Sequence, residues 1–185
     1  MQITEKRLRE IICESIATAL KAARKATAKN PTEAQKKAGN YRKGHIRLFG
    51  LDITLETPKG TYRTGVDKDG KQWKILMRND YGYFNRTLGK DGDAVDTFLG
   101  PNLKSEKVFV IDQYLSGAFD ESKVMLGFDS SAEAKRAYLS NYEPGWTGFK
   151  YITEVDIETF KNWLMRGSKQ RIPFKKYSSI KQSGK

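Results

Sequence analysis

The chain has one cysteine and one histidine among its 185 residues. A single cysteine, Cys13, excludes an internal disulfide and a cysteine-built zinc site, and it fits a reducing interior such as a cytoplasm. Cys13 lies in an amphipathic segment and reads as a small packing residue rather than a nucleophile. His45, in "YRKGHIRL", reads as a residue that packs or binds nearby backbone. No run approaches the roughly 18 apolar residues needed to cross a bilayer. The first thirty residues carry acids throughout and show no cleavage pattern after an apolar block, so they are not read as a signal peptide. The remaining reading is a soluble chain with no membrane association, long enough for one domain with extensions.

Acidic residues are scarce at both ends. Residues 1–47 hold twelve Lys and Arg against four Asp and Glu, and residues 161–185 hold eight against none. Residues 48–160 hold fourteen against eighteen, so the middle is mildly acidic although the whole carries +12. Basic ends of this kind are commonly solvated arms. They add nonspecific affinity for nucleic acid and other polyanions, which weakens steeply with salt.

Apolar residues at Leu8, Ile11, Ile12, Ile16, Leu20 and Ala23 recur at helical spacing over 4–29. That face needs a partner surface, in cis or from another subunit, and a homo-oligomer is expected. Asn30-Pro31 ends the helix, and Thr32 caps a short turn. "IRLFGLDITL" (46–55) reads as β, with Gly50 marking a bend. "TYRTGVDKDGKQWKILM" reads as two strands joined around Asp69-Gly70. "KVFVID" and "KVMLGF" read as short strands separated by a polar loop. Ser130 with Glu133 opens a helix, "FKYITEV" returns as a strand, and Asp156 caps a last helix with Ile157, Phe160, Trp163 and Leu164 inward. The basic end after Gly167 reads as a mobile arm or a segment docked on a neighbour. The sum is an α+β protein with a mostly antiparallel β core, and short twisted strands with a bulge favour a small barrel over an open sheet.

The stretch "YGYFNRTLGKDGDAVDTFLG" (81–100) puts Asp91, Asp93 and Asp96 within six positions. Asp and Gly are turn residues, and "KDGD" alone is a loop. A calcium loop of the EF-hand type fails on register: with Asp91 first, Asp96 falls where glycine is required. A magnesium site remains open beside the solvated turn, because magnesium takes a few carboxylates and keeps several waters. Gly92 lets Asp91 and Asp93 converge, while Val95, Phe98 and Leu99 anchor the following strand. Arg63, Lys74, Arg78 and Lys123 lie on predicted strands or their ends. Divalent ions in such an acidic pocket would invert its local sign and let it hold a phosphate compound.

The Tyr-Gly-Tyr stretch running into Asp-Gly-Asp-x-apolar-Asp resembles the signature of soluble (family I) inorganic pyrophosphatases. "EAQKKAGNYRKGHIRLFGLDITLETPKG", "VFVIDQY" and "FDESKVMLGF" resemble the pyrophosphatase-like domains carried in bacteriophage and prophage proteins. The resemblance divides the chain into an N-terminal helical extension (1–32), a pyrophosphatase-like domain (33–166) and a basic tail (167–185). It implies a small five-stranded, OB-like barrel with peripheral helices. It also implies Mg2+ or another divalent ion, hydrolysis of pyrophosphate to two phosphates, and the cytoplasm of a bacterial host. By the same resemblance Asp91, Asp93 and Asp96 are metal-binding, with Asp93 also helping to deprotonate the attacking water. Asp112, Glu121 and Glu56 stand for further acidic residues of the metal site. Arg63, Lys123, Tyr81 and Tyr142 stand for phosphate-binding residues, the first three also assisting catalysis. Lys74 and Arg78 are alternatives for a strand arginine.

Several positions depart from the pattern. Ala94 replaces a proline, Gly65 stands where a glutamate is usual, and Glu143 where a lysine follows the late tyrosine. These departures keep two rivals open: a hydrolase of another phosphoanhydride, such as a nucleotide or nucleotide-derived signal, and a non-catalytic module that binds nucleic acid through its basic ends.

Overall fold

The protein was analysed as a computed structural model, which describes residues 4–67, 69–166 and 170–182. Helix α1 (Glu5–Ala26) and the short α2 (Glu33–Ala38) precede β1 (Gly44–Leu48), β2 (Leu51–Thr57), β3 (Tyr62–Val66) and β4 (Gln72–Leu76). Then come β5 (Asp80–Phe84), β6 (Asp96–Leu99), β7 (Lys107–Leu115) and β8 (Ala118–Leu126). The chain continues through α3 (Ser131–Ser140), β9 (Phe149–Asp156), α4 (Ile157–Leu164) and α5 (Phe174–Gln182).

The fold is α+β. Its main sheet has seven strands in the order β1-β2-β5-β6-β8-β7-β9, and β3 and β4 form a separate two-stranded sheet. Neighbours in the main sheet are antiparallel except β6 and β8. The expected five-stranded barrel is not found: β1 and β9 end the order, so the sheet stays open. Strand length and two-sided burial account for the difference. The "polar loop" between "KVFVID" and "KVMLGF" is itself strand, making β7 and β8 nine residues each. "IRLFGLDITL" is a hairpin, with Phe49 and Gly50 at positive φ in its turn. A sheet this wide is covered by packed side chains on both faces and has no need to close on itself.

Strand alternation separates the two cores. Val108, Val110, Val124 and Leu126 point to one side, where they join Leu20 of α1, Phe160 and Trp163 of α4, and Phe174 of α5. Phe109, Ile111 and Met125 point to the other, with Tyr81, Phe98 and Tyr138. Each large apolar side chain fully buried here contributes about 1.5–3 kcal/mol. The caps read from sequence are present: Thr32 Oγ1 accepts from Gln35 N–H, Ser130 Oγ from Glu133 N–H, and Asp156 from Thr159 N–H.

Both ends pack on their own chain. In α1, Leu20 and Ala23 are buried, whereas Leu8, Ile11 and Ile12 stay exposed. The basic end, expected as a free or neighbour-docked arm, forms α5 over Phe174–Gln182, with Phe174 and Tyr177 buried in the first core. Among the described residues no helix is long and apolar enough to cross a membrane.

Candidate active site

The second face of the sheet turns polar where its apolar row runs out. On β8, Met125 is followed two and four residues back by Lys123 and Glu121, and Gln113 of β7 lies opposite Glu121. On β5 and β6, Tyr81 pairs with Phe98 and Tyr83 with Asp96, which sets Tyr81 and Asp96 diagonally on one face. Gly82 between the two tyrosines is dictated by β2: a Cβ there would lie 2.0 Å from the Thr54 carbonyl oxygen. Only glycine lets β5 approach that closely and present Tyr81.

These side chains bond to one another. The Tyr81 hydroxyl donates to Asp96 Oδ2, and the Lys123 ammonium donates to the same oxygen. Lys123 Nζ also lies 2.8 Å from Glu121 Oε1. Arg63 of β3 donates to the Tyr81 hydroxyl at 3.1 Å, its guanidinium carbon 4.4 Å from the centre of that ring. A second branch centres on Gln113. Its amide nitrogen donates to Asp120 (2.8 Å) and Glu121 (3.2 Å), and its oxygen accepts from the hydroxyls of Tyr138 (2.8 Å) and Tyr142 (3.1 Å). Tyr142 stacks on Trp146 with ring centres 4.5 Å apart.

Burial and charge set the protonation of the cluster. Burial pulls Lys123 downward, but Asp96 chiefly, then Tyr81, Tyr142 and Glu121, push its pKa well above the ordinary lysine value. Burial raises the Tyr81 phenol and Asp96 raises it further, against Lys123 and Arg63. Burial likewise raises Tyr142. At neutral pH the site therefore offers two fixed cations and two protonated phenols as donors. Burial also raises Glu121, and Asp96 and Asp91 add to it although Lys123 opposes.

Of the residues expected from sequence, Tyr81, Asp96, Lys123, Glu121, Arg63 and Tyr142 are brought together. Asp91 is near enough for its charge to reach Glu121. Asp93 is exposed on the same loop, its backbone N–H bonded to Asp91 Oδ1 at 3.1 Å. Glu56 is ion-paired with Lys43 at 2.7 Å and accepts from Tyr41, whose phenol is pushed up to about 12 by burial and then by Glu56. Glu56, Arg63 and Lys74 line a cavity of about 460 Å³ beside the cluster, and Lys74 Nζ sits 4.0 Å over the Tyr62 ring. Arg78 lines a second cavity with Tyr142.

Asp112 does not join them. It alternates with Ile111 and Gln113, so it points to the first core, fully buried, and accepts from Ser122 and from the N–H groups of Phe174 and Lys175. Its work is to receive the start of α5. Gln113 was missed from sequence, although its place opposite Glu121 follows once the β7–β8 register is known.

Among the described residues no group of three or more His, Cys, Asp or Glu side chains is drawn closely enough to hold a metal ion outright. The donor chemistry nevertheless fits a hard divalent cation. Carboxylate oxygens of Asp96 and Glu121 meet at Lys123, and Asp91 is near enough to add its charge.

The span that holds this cluster resembles known proteins. The family model described as inorganic pyrophosphatase matches residues 33–165, a span containing all of these side chains. Among solved structures, an inorganic pyrophosphatase (ppa) from Coxiella burnetii is 18% identical, covers 63% of this chain and 90% of its own, and has a TM-score of 0.38. An inorganic phosphatase from Anaplasma phagocytophilum is 13% identical, covers 68% of this chain and 91% of its own, and has a TM-score of 0.29. No curated protein matches.

Proposed function

This chain belongs to the inorganic pyrophosphatase family, and from that premise we propose that it hydrolyses inorganic pyrophosphate to two phosphates with a bound divalent cation, magnesium. The observation that carries the reading is the bonded run Arg63–Tyr81–Asp96–Lys123–Glu121, which four strands assemble inside the matched span. Asp96, Glu121 and Asp91 would hold the cation, with Asp93 beside them on the loop. When bound, a divalent ion lowers the pKa of a coordinated water and offsets phosphate charge.

The chain's own groups do the rest. The water oxygen adds to one phosphorus, the bond from that phosphorus to the bridging oxygen breaks, and the bridging oxygen keeps the electron pair on the departing phosphate. Asp93, exposed and unburdened by an ion pair among the described residues, takes the water proton. Arg63 and Lys123, both held protonated, offset charge on the phosphate oxygens. Tyr81 and Tyr142 keep their protons, which they donate to Asp96 and Gln113, and so fix those side chains around the substrate for in-line displacement. No Ser, Cys or His nucleophile enters.

Phosphate release from pyrophosphate with Mg2+ tests this, with Asp96→Asn as the control. The parent is expected to turn over. The variant should fall by roughly a hundredfold or more, as when an electrostatic group of the site is lost. A parent that is folded yet inactive on pyrophosphate at every Mg2+ concentration overturns the reading.

A further inference from the structure

Between β4 and the turn after α3 lies a cavity of about 460 Å³, lined by Trp73, Tyr142, Arg78, Lys71, Lys74 and Glu143 among others. That is the size of a site for a drug-sized organic ligand, and far more than two phosphate groups fill. The Lys74 ammonium sits over the Tyr62 ring, whereas Lys71 and Arg78 make no salt bridge among the described residues. Their charge is therefore available to an anion.

Two aromatic side chains connect this space to the reaction centre. Tyr142 reaches Gln113 and through it Glu121. Trp73 lies with its ring centre 5.6 Å from the Arg63 guanidinium, and Arg63 bonds Tyr81. The indole lies against the bare backbone of Gly65, where a Cβ would come within 2.4 Å of Trp73 Cζ2. Trp73 is half-buried, so part of the ring remains open at the cavity. Glu143 is exposed beside it and supplies an acceptor.

An aromatic platform, an acceptor and unpaired cations one residue away from a phosphate centre are what a nucleotide requires. We propose that this cavity is a purine-nucleoside subsite, so that purine nucleoside diphosphates are substrates of the same centre; the proposal rests on the hydrolase reading above. Trp73 stacks the base, Glu143 accepts a base N–H, and Arg78 and Lys71 balance the phosphate charge. Water adds its oxygen to the terminal phosphorus, the bond to the bridging oxygen breaks, and that oxygen leaves with the electron pair on the nucleoside monophosphate. One water proton stays on the released phosphate and the other passes to Asp93 and from there to solvent.

The test uses the full chain with Mg2+. Phosphate release is measured on pyrophosphate, ADP, GDP and UDP, and AMP binding is measured by calorimetry, which needs no turnover. The expected result is turnover of ADP and GDP above UDP. Trp73→Ala should weaken AMP binding by roughly tenfold or more, and lower the ratio of ADP to pyrophosphate kcat/KM by the same factor. Trp73→Phe, which keeps a stacking ring, should retain most of both. Pyrophosphate turnover with neither ADP hydrolysis nor AMP binding overturns the subsite and leaves the pyrophosphatase reading standing. Trp73-dependent AMP binding without phosphate release from any substrate does the reverse. Equal handling of ADP and UDP, or a Trp73→Ala protein that keeps the parent ratio, also overturns the subsite.

Discussion

Lys123 is the residue on which the cluster balances. Its side chain is only 4% exposed and sits between Asp96 and Glu121, themselves 17% and 15% exposed. Lys123→Ala leaves two mostly buried carboxylates facing one another, and is expected to cost about 3–5 kcal/mol in urea unfolding as well as activity. Because the folded state raises the pKa of Lys123, its contribution is full below the ordinary lysine value and fades as pH rises through the folded one. Glu121 behaves differently. A carboxyl raised in the folded state holds its proton more readily there, so its contribution is present below its ordinary pKa of 4.5 and lost as pH rises through the folded value. Glu121→Gln should therefore equal or exceed the parent in urea midpoint at pH 7 and lose that advantage toward pH 4. A variant that gains only on the acid side contradicts the sign.

Asp112 marks the limit of what the sequence shows at this scale. The family resemblance implies a metal ligand at Asp112, but one strand step separates a residue facing Lys123 from one facing α5. Strand parity depends on register, and β7 carries irregularities around Gln113 that spacing alone does not reveal. Tyr81 and Asp96 are legible because they share one short, ungapped motif, whereas Lys123 rests on the looser likeness of "FDESKVMLGF". Phe174 N–H bonds one Asp112 oxygen and Lys175 N–H the other, so Asp112→Asn keeps an acceptor for only one of them and is expected to cost about 1 kcal/mol. Asp112→Ala strands both donors and should cost about 1–3 kcal/mol. Equal urea midpoints for the two variants would remove that role.

At the scale of elements, local signals were read well and long-range pairing was not. Helix caps and the Asp69-Gly70 turn act within a few residues, so Thr32, Ser130, Asp156 and the β3–β4 hairpin declare themselves. The parallel β6–β8 pairing and the seating of α1 on β1 join distant segments, and composition carries little of either. Beside the packing of Leu20 in the first core, two contacts hold α1. A Cβ on Gly44 would lie 2.0 Å from the Ala23 carbonyl oxygen, so helix and strand meet backbone to backbone. Arg24 holds the buried Asp80 carboxylate with bonds of 2.5–3.0 Å, and the Lys59 N–H adds a third donor group at 2.9 Å. Arg24→Met leaves Asp80 with the Lys59 N–H; the expected cost is about 2 kcal/mol, below the usual value for a buried pair because Arg24 is 41% exposed. Gly44→Ala, which forces backbone apart, should lose at least as much, and protease cleavage within α1 should rise in both variants. An unchanged urea midpoint with a resistant α1 would show that the helix is held elsewhere.

Across the whole molecule the charge is uneven, with basic ends on a mildly acidic middle, and the site sits in that middle. A cation bound only by the folded state stabilises it by RT ln(1 + [L]/Kd), about 2.7 kcal/mol at a hundredfold excess over Kd. For a chain of this size each kcal/mol moves Tm by about 2–4 °C, so saturating Mg2+ should raise Tm by roughly 5–10 °C at constant ionic strength, and chelation should reverse it. The carboxylate cluster makes the prediction specific. Asp96→Asn and Glu121→Gln each remove charge from the proposed binding set and should shrink the shift, whereas Asp112→Asn, which points into the other core, should keep it. Screening of the basic ends by salt cannot mimic this pattern, because it acts alike on all three variants. If Mg2+ raises Tm equally in parent and variants, the ion is held somewhere other than beside Lys123, and the carboxylates there serve only to balance its charge.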